Sequence, residues 1–212
     1  EKSLEFSDWL GFKQRKEESK QRGFLRGIGV SNYLEVTAPV ETEMGGIRFE
    51  DNGDVTIITG TLDYGQGHAV AFAQVLHSSL GIPFERIKLL QGDSDELITG
   101  GGTGGSKSIM ASGGAIIEAA TEVIKKAKTV ASYFFETSEE DIEFKNGYLL
   151  VAGTDKSISL IELSDKLKKG LDRSDGIPDT LDVKLDHGGV PSAFPNGCHI
   201  CEVEIDPETG SV

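Results

Sequence analysis

Two glycine-rich segments contain the residues of this sequence whose types and spacing could bind a ligand. The first is Gly65-Gln66-Gly67-His68, and the second spans residues 100–108 with the sequence Gly-Gly-Gly-Thr-Gly-Gly-Ser-Lys-Ser. Each follows a strand-like run and precedes a helix-like run. A helix start offers unpaired N–H groups and the positive end of its dipole, and glycine lets a phosphate approach the backbone closely. Together the two turns predict a large anionic cofactor.

Side chains of the turns add donors and charge to these backbone groups. Gln66 can both donate and accept hydrogen bonds, Ser106 and Ser108 are hydroxyl donors, and Lys107 is a point charge. An alternative interpretation is that Gln66 and His68 only cap the helix that follows. The residue types alone leave both interpretations open.

Three common ion-binding motifs do not fit these segments. The first turn lacks the third glycine of a G-x-G-x-x-G dinucleotide fingerprint. In the second turn Ser106 separates Gly105 from Lys107, whereas a phosphate-binding loop of nucleotide hydrolases needs Gly directly before Lys. Asp93 and Asp95 begin a calcium-type ladder that the sequence does not continue, so we expect them to shape their loop through bonds to the backbone.

The only two cysteines form one C-x-x-C pair, Cys198 and Cys201. A zinc site would need a second pair of ligands, and a redox pair would need a helix start. Residues 198–205 alternate as a strand does. We therefore interpret the cysteines as small residues of a half-buried strand, and we expect no direct metal ligand in the chain.

Composition limits the function classes. The 212 residues include 35 acidic and 21 basic side chains, a formal net charge of -14, so nucleic acid would be repelled. No run reaches the apolar length of a membrane span, and the first residues lack the layout of a signal peptide. We expect a cytoplasmic globular protein without nucleic-acid or membrane partners.

The elements around the turns follow from periodicity. Residues 47–50 and 55–59 flank Asp51-Asn52-Gly53-Asp54 and predict a hairpin. Apolar residues at helical spacing predict a helix ending at Gly81 after the first turn, and residues 87–90 predict the next strand. A longer apolar stripe, from Ile117 to Phe134, predicts a helix after the second turn. The fold class expected is α+β, a mixed sheet with two strand–glycine turn–helix units and hairpins.

The flanking segments are less regular. Residues 13–22 predict an exposed helix ending at Gly23, and residues 25–36 predict a strand with a bulge or a close neighbour at its two glycines, Gly27 and Gly29. A second Asn-Gly step predicts a hairpin of residues 142–144 and 148–151. Further predictions are a short helix capped by Ser157 and ended by Gly170, and a long surface connection from residue 171 to 196.

Five motifs occur in a fixed order, and together they resemble a known family. They are Gly60-Thr61-Leu62-Asp63-Tyr64-Gly65-Gln66-Gly67-His68, Leu80-Gly81-Ile82-Pro83, Gln91-Gly92-Asp93-Ser94-Asp95, Gly102-Thr103-Gly104-Gly105-Ser106-Lys107-Ser108 and Glu202-Val203-Glu204-Ile205-Asp206-Pro207-Glu208-Thr209-Gly210. In this order the sequence is similar to the molybdenum-binding large subunit of the xanthine dehydrogenase, aldehyde oxidase and aerobic carbon monoxide dehydrogenase family.

The resemblance implies a molybdopterin-dependent oxidoreductase that oxidises a small substrate with water as the oxygen source. The substrate classes it leaves open are aldehydes, purines, N-heterocycles and carbon monoxide. It implies molybdopterin, in bacteria usually the cytosine dinucleotide form, with molybdenum. It also implies iron–sulfur clusters and FAD on partner subunits or domains, and the remainder of the large subunit as a partner.

The resemblance also assigns site residues. The first turn matches the segment near the metal's ligand sphere and the pterin, namely Gly65, Gln66, Gly67 and His68. The second matches the segment that cradles the dinucleotide phosphates, namely Thr103, Gly104, Gly105, Ser106, Lys107 and Ser108. Many relatives have Arg where Lys107 stands, which keeps the charge but not the bidentate geometry.

The family's catalytic glutamate, in a Gly-Val-Gly-Glu segment, is expected beyond Val212, so no catalytic residue is assigned within the chain. We expect residues 1–212 to be an inactive fragment of a molybdopterin-binding domain. Within it we expect an N-terminal helix and linker (1–24), a core (25–170), a long connection (171–197) and one strand of an incomplete hairpin (198–212). The alternative is a non-catalytic module that keeps the fold and binds a nucleotide diphosphate or a protein.

Overall fold

The computed structural model describes residues 1–171 and 176–212 and has helices and strands in an α+β arrangement, which confirms the expected fold class. Its helices are α1 (Lys2–Phe6), α2 (Phe12–Gln21), α3 (His68–Leu80), α4 (Ser108–Phe135) and α5 (Leu160–Lys168). Its strands are β1 (Leu25–Leu34), β2 (Val40–Phe49), β3 (Val55–Thr59), β4 (Ile87–Gln91), β5 (Ile142–Lys145), β6 (Tyr148–Val151), β7 (Ser157–Ser159), β8 (Val183–Val190) and β9 (Asn196–Ile205).

The chain divides into two compact units, one formed by residues 1–37 with 193–212 and a larger one formed by residues 38–192. The larger unit is built on a mixed sheet of order β4-β3-β2-β8. Strands β3 and β4 are parallel, while β2 is antiparallel to both β3 and β8. The predicted hairpin at Asn52-Gly53 is therefore confirmed. So is the first predicted succession of strand, glycine turn and helix, which is formed by β3, residues 65–67 and α3.

Helices α3 and α4 cover this sheet and enclose its hydrophobic core. Phe72 and Leu76 of α3 are fully buried, as are Ile116 and Val123 of α4. Helix α4 passes directly beside β2 at Gly45, where an added Cβ would lie 2.4 Å from the carbonyl oxygen of Ala115. The absence of a side chain at Gly45 is thus what permits the helix to pack at this distance.

The second hairpin is also confirmed, because β5 and β6 pair antiparallel around Asn146-Gly147, and β7 adds a third strand. The predicted cap of the short helix is wrong by two residues. Ser157 lies in β7, and Ser159 caps α5 in a capping box with Glu162. Residues 157–159 continue the sheet because they pair with β6, so the helix starts only at Leu160.

Strand β8 corrects the prediction of a long connection over residues 171–197. Its residues 183–190 lie within that segment and pair with β2 from Val183 opposite Ile47 to Val190 opposite Val40. A pairing partner so distant in sequence leaves no local signal, and the two glycines and Asp186 of β8 obscure its alternation. Residues 172–175 of the predicted connection lie outside the described residues.

The smaller unit is an antiparallel ribbon of β1 and β9, paired from Leu25 opposite Ile205 to Leu34 opposite Asn196, with α2 packed on it. Strand β1 therefore belongs with β9 rather than with the core predicted for residues 25–170. The register is continuous through Gly27 and Gly29, so the bulge is not found, and no atom approaches their positions within 4 Å. The predicted exposed helix before Gly23 is confirmed as α2.

Residues 206–211 form a turn after β9. The N–H of Asp206 donates to the carbonyl oxygen of Ser211 at 2.9 Å, and the N–H of Gly210 donates to the carbonyl oxygen of Asp206 at 2.8 Å. Across residues 1–171 and 176–212, no helix has the combination of length and apolar character needed to cross a membrane.

Candidate functional site

The amide groups of the first glycine turn are already occupied by a carboxylate of the chain itself. Oδ1 of Asp63 accepts the N–H groups of Gly65 and Gln66, each at 2.7 Å, and Oδ2 accepts the N–H of His68 at 2.9 Å. These hydrogen bonds, led by that of Gly65, lower the pKa of Asp63. Asp63 is thus the anion at the start of α3, and these amides are not available to a phosphate.

Gln66 does not cap α3. Gly67, at φ 76°, is the residue before the helix and makes no side-chain cap, while Oε1 of Gln66 accepts the N–H of Tyr64 within the turn. The side-chain nitrogen of Gln66 donates to no acceptor among the described residues, and the residue is exposed. Its amide can therefore still donate to a ligand.

His68 is held inside the protein. Its side chain stacks on Phe72, with ring centroids 4.9 Å apart, and the residue is 5% exposed. Nδ1 of His68 lies 3.3 Å from the side-chain nitrogen of Gln91, which also donates to the hydroxyls of Thr59 and Thr61. The imidazole thereby anchors the first turn to the ends of β3 and β4, and its role toward a cofactor remains a prediction.

The second turn is open where the first is closed. The N–H groups of residues 104–110, which include the first turn of α4, donate to no acceptor in residues 1–171 and 176–212. Gly105 and Ser106 have φ values of 64° and 57°, a left-handed pair that turns the chain into the helix. The positive end of the dipole of α4 and the ammonium of Lys107 lie at the same turn. This arrangement suits an anion.

Thr103 connects the two turns. Its hydroxyl oxygen accepts the backbone N–H of Leu62 at 3.0 Å, and it also accepts the hydroxyl of Ser108 at 3.2 Å. The first contact is with the segment just before Asp63, and the second is with the first residue of α4. Thr103 thus has a positioning role that its matching motif did not predict.

A cleft of about 420 Å³ runs between the turns, within the size range of small-molecule sites. Its lining comes from both turns and from the first turns of α3 and α4: Gln66, His68, Ala71, Phe72, Thr103, Gly104, Ser106, Ser108 and Ile109. Of the predicted site residues, Gly65, Gly67, Gly105 and Lys107 lie beside this lining rather than in it. The fold therefore brings the two sequence-predicted segments to one place.

The family follows from a sequence profile. The profile described as the molybdopterin cofactor-binding domain matches residues 2–212. The chain belongs to this family.

Relatives of this molybdopterin-binding domain include two proteins of Paenarthrobacter nicotinovorans. The 6-hydroxypseudooxynicotine dehydrogenase complex subunit gamma is 31% identical over 97% of the chain, and the nicotine 6-hydroxylase large subunit is 31% identical over 98%. The carbon monoxide dehydrogenase large chain of Hydrogenophaga pseudoflava is 26% identical over 98% of the chain. The chain spans 25%, 27% and 27% of these relatives, respectively.

Solved structures agree with this membership. The structure of a Cu,Mo-CO dehydrogenase superposes with a TM-score of 0.80 at 25% identity, and covers 97% of this chain and 28% of its own. Quinoline 2-oxidoreductase from Pseudomonas putida 86 gives a TM-score of 0.77 at 27% identity, over 98% of this chain and 28% of its own. The resemblance inferred from the five ordered motifs is confirmed.

Three residues of the molybdopterin-binding domain were missed as site-supporting groups: Asp63, Gln91 and Glu43. Asp63 had a local signal, since an aspartate just before a helix start favours side-chain bonds to the following amides. Gln91 opens one of the five motifs, but nothing local indicates its contacts, because its partners Thr59 and Thr61 are brought to it by the parallel pairing of β3 and β4. Glu43 gave no local signal either, because a charged residue in a strand is expected to face solvent, whereas this one is buried.

The cysteines of this domain lie in β9, as predicted, with Cys198 half-buried and Cys201 exposed. Their strand pairs with β1. In the part of the chain that the structure describes, no three His, Cys, Asp or Glu side chains come together as a metal site.

Proposed function

We propose that this chain is the part of a molybdenum hydroxylase that holds the pterin and the dinucleotide phosphates of its cofactor. The cofactor, in our proposal the cytosine dinucleotide form, would supply a molybdenum centre that oxidises a small substrate with water as the oxygen source. Proteins that share the family act on nicotine, quinoline or carbon monoxide, as their names state. For this chain we propose a substrate among the aldehydes, purines, N-heterocycles and carbon monoxide.

The observation that supports the phosphate assignment is the contrast between the two turns. The amides of the first are bonded to Asp63, whereas the N–H groups of residues 104–110 are free within the described chain. A diphosphate approaching the cleft would meet repulsion from the Asp63 carboxylate and attraction from Lys107 and the helix dipole. The phosphates therefore go to the second turn, where Ser106 adds a hydroxyl donor.

The first turn would then serve the pterin end of the cofactor. The side-chain nitrogen of Gln66 is free to donate to a pterin amide edge or to an oxygen ligand of the metal. His68 and Phe72 form a rigid wall of the cleft beside it. In this role Gly65, Gly67 and His68 shape the turn, and Gln66 makes the contact.

The remaining chemistry lies in partners. We propose that the rest of the large subunit completes the cofactor clamp and supplies the catalytic glutamate. Iron–sulfur and FAD subunits or domains would carry electrons away. We also propose that the protein works in the cytoplasm.

The test uses the purified enzyme that contains this chain, isolated from its native host. Molybdenum, pterin and released cytosine nucleotide are quantified in the wild type, in Lys107→Gln and in the control Lys125→Gln, whose side chain is 74% exposed further along α4. Loss of one charge-assisted contact, Lys107 to phosphate, predicts roughly tenfold weaker cofactor retention. Lys125→Gln retains it as the wild type does. A wild-type enzyme without molybdenum and pterin refutes the proposal and favours the non-catalytic module.

A further inference from the structure

Glu43 of β2 is a buried carboxylate that none of the cofactor contacts proposed above uses. The residue is 1% exposed, and its Oε1 accepts the backbone N–H of Gly60 at 2.7 Å and that of Met44 at 3.0 Å. Burial raises the pKa of its carboxyl, and the two backbone hydrogen bonds and the charge of Lys107 oppose this rise without cancelling it. A buried carboxylate without an ion pair among the described residues is unusual and calls for a specific role.

Gly60 links Glu43 to the second glycine turn, because it contacts both. A Cβ on Gly60 would lie 2.3 Å from the Cα of Gly100 and 2.6 Å from the carbonyl oxygen of Thr99, so the two backbones are in direct contact. The carbonyl oxygen of Gly60 also accepts the N–H of Gly102 at 3.2 Å. The start of the second turn is therefore packed on the residue that Glu43 holds.

Lys107 adds an electrostatic link to the same group. Its ammonium lies 3.1 Å from the position that a Cβ of Gly101 would take, so it folds back over the start of its own turn. The charges of Glu43 and Lys107 attract each other, since the ammonium is among the groups that lower the pKa of this carboxyl. Asp186 of β8 is a further charged group that acts on Glu43, and it raises the pKa of this carboxyl.

We propose that Glu43 is a positioning residue for the second glycine turn, acting through Gly60 on residues 100–102. The hydrogen bond from the N–H of Gly60 to Glu43 fixes the backbone just after β3. That backbone in turn contacts residues 100–102, and this contact sets the position of the open amides of residues 104–110 beside the cleft. The effect on a cofactor rests on the proposed function, whereas the effect on the turn does not.

A carboxylate suits this position better than an apolar side chain of similar size. An apolar replacement leaves the N–H of Gly60 buried without an acceptor, which is costly, and removes the negative charge that faces Lys107. A glutamine restores the acceptor but not the charge. Comparing Glu, Gln and Met at this position therefore distinguishes the effect of the hydrogen bond from the effect of the charge.

The experiment compares Glu43→Met with Glu41→Met, an exposed position on the same strand, in the enzyme that contains this chain. Hydrogen exchange is read at the amides of Leu62 and Gly102, neither of which bonds to Glu43. We expect exchange at both to rise roughly tenfold in Glu43→Met, as for loss of one hydrogen bond to a charged acceptor. Exchange in the hairpin of β5 and β6 stays unchanged. Glu41→Met behaves as the wild type.

Two further variants keep the proposal open to refutation if Glu43→Met fails to fold. Gly60→Ala keeps the carboxylate but crowds both Gly100 and Oε1 of Glu43, which would lie 2.8 Å from the new Cβ, and we expect the same local rise at Gly102. Glu43→Gln is expected to restore most of the protection. Cofactor content, measured in the same samples, is expected to be lower in the variants whose amide exchange at Gly102 is faster.

The outcomes separate the two proposals. Unchanged exchange at Gly102 in folded Glu43→Met or Gly60→Ala overturns the positioning role, and so does an equal rise throughout the unit, which indicates general destabilisation. A wild-type enzyme without pterin refutes the proposed function only. In that case the exchange at Gly102 still decides whether Glu43 positions the turn.

Discussion

The carboxylate of Asp63 accepts the N–H of His68, the first residue of α3, at 2.9 Å. Together with the N–H groups of Gly65 and Gln66, which donate to the same carboxylate, this contact makes the two glycine turns of the chain different. The carboxylate of Asp63 accepts hydrogen bonds at the start of α3, whereas the first amides of α4 donate to no acceptor among the described residues. The first turn thus carries the negative charge of Asp63, and the second carries the positive charge of Lys107.

Replacing Asp63 by Asn is expected to loosen the first turn. The amide side chain offers only one acceptor oxygen and no charge to the N–H groups of Gly65, Gln66 and His68, so the melting temperature falls. Asp155→Asn, at an exposed turn residue, leaves it unchanged. Calorimetry of the three proteins checks this, and equal melting temperatures would contradict it.

The smaller unit is expected to lose stability in acid. Arg15 and Arg26 hold Glu202, and Ser19 and Arg26 hold Glu204, which lowers the pKa of each carboxyl to about 2. Carboxyls with a lowered pKa contribute stability above their ordinary value, near 4.5, and lose that contribution as pH falls toward 2.

The measurement for this unit is tryptophan fluorescence of the chain as a function of pH, because Trp9 is its single tryptophan and belongs to the same unit. We expect a transition between about pH 4.5 and pH 2. In Glu202→Gln the unit is less stable at neutral pH, and the transition is shallower, since one of the titrating carboxyls is gone. A pH-independent signal over this range would contradict the assignment.

Gly45→Ala is expected to disturb the packing of α4 on the sheet. The new methyl group would meet the backbone carbonyl of Ala115, which cannot rotate away as a side chain can. We expect a loss of about 1–3 kcal/mol in the free energy of unfolding, typical of overpacked sites. Gly27→Ala, where no atom lies within 4 Å, is the matched control, and urea unfolding measures both.

Ser159→Ala is expected to destabilise α5 by about 1 kcal/mol, because it removes the hydroxyl that caps the helix in the box with Glu162. Ser157→Ala tests the alternative position of the cap, since its side chain forms no hydrogen bond with the described residues and the residue is exposed. Urea unfolding of both variants decides between them. A larger effect of Ser157→Ala would contradict the structure.

Much of the architecture was predictable because its signals are local. The Asn52-Gly53 and Asn146-Gly147 steps specify their hairpins through backbone conformations that few other residues adopt. Both glycine turns, the helices after them and the family were also visible in the residue order. Strand β8 was not, because its strand character depends on pairing with residues of β2 more than 130 positions earlier, as in Val183 opposite Ile47.

For the candidate site the same distinction holds. The sequence by itself determined which segments form it, since glycine positions and motif order are properties of the chain. Only the tertiary structure decided that the amides of the first turn bond to Asp63, that Gln91 anchors His68, and that Glu43 lies beneath Gly60. The physical reason is that hydrogen bonding and burial depend on which atoms meet in space, and strands brought together by the sheet decide those meetings.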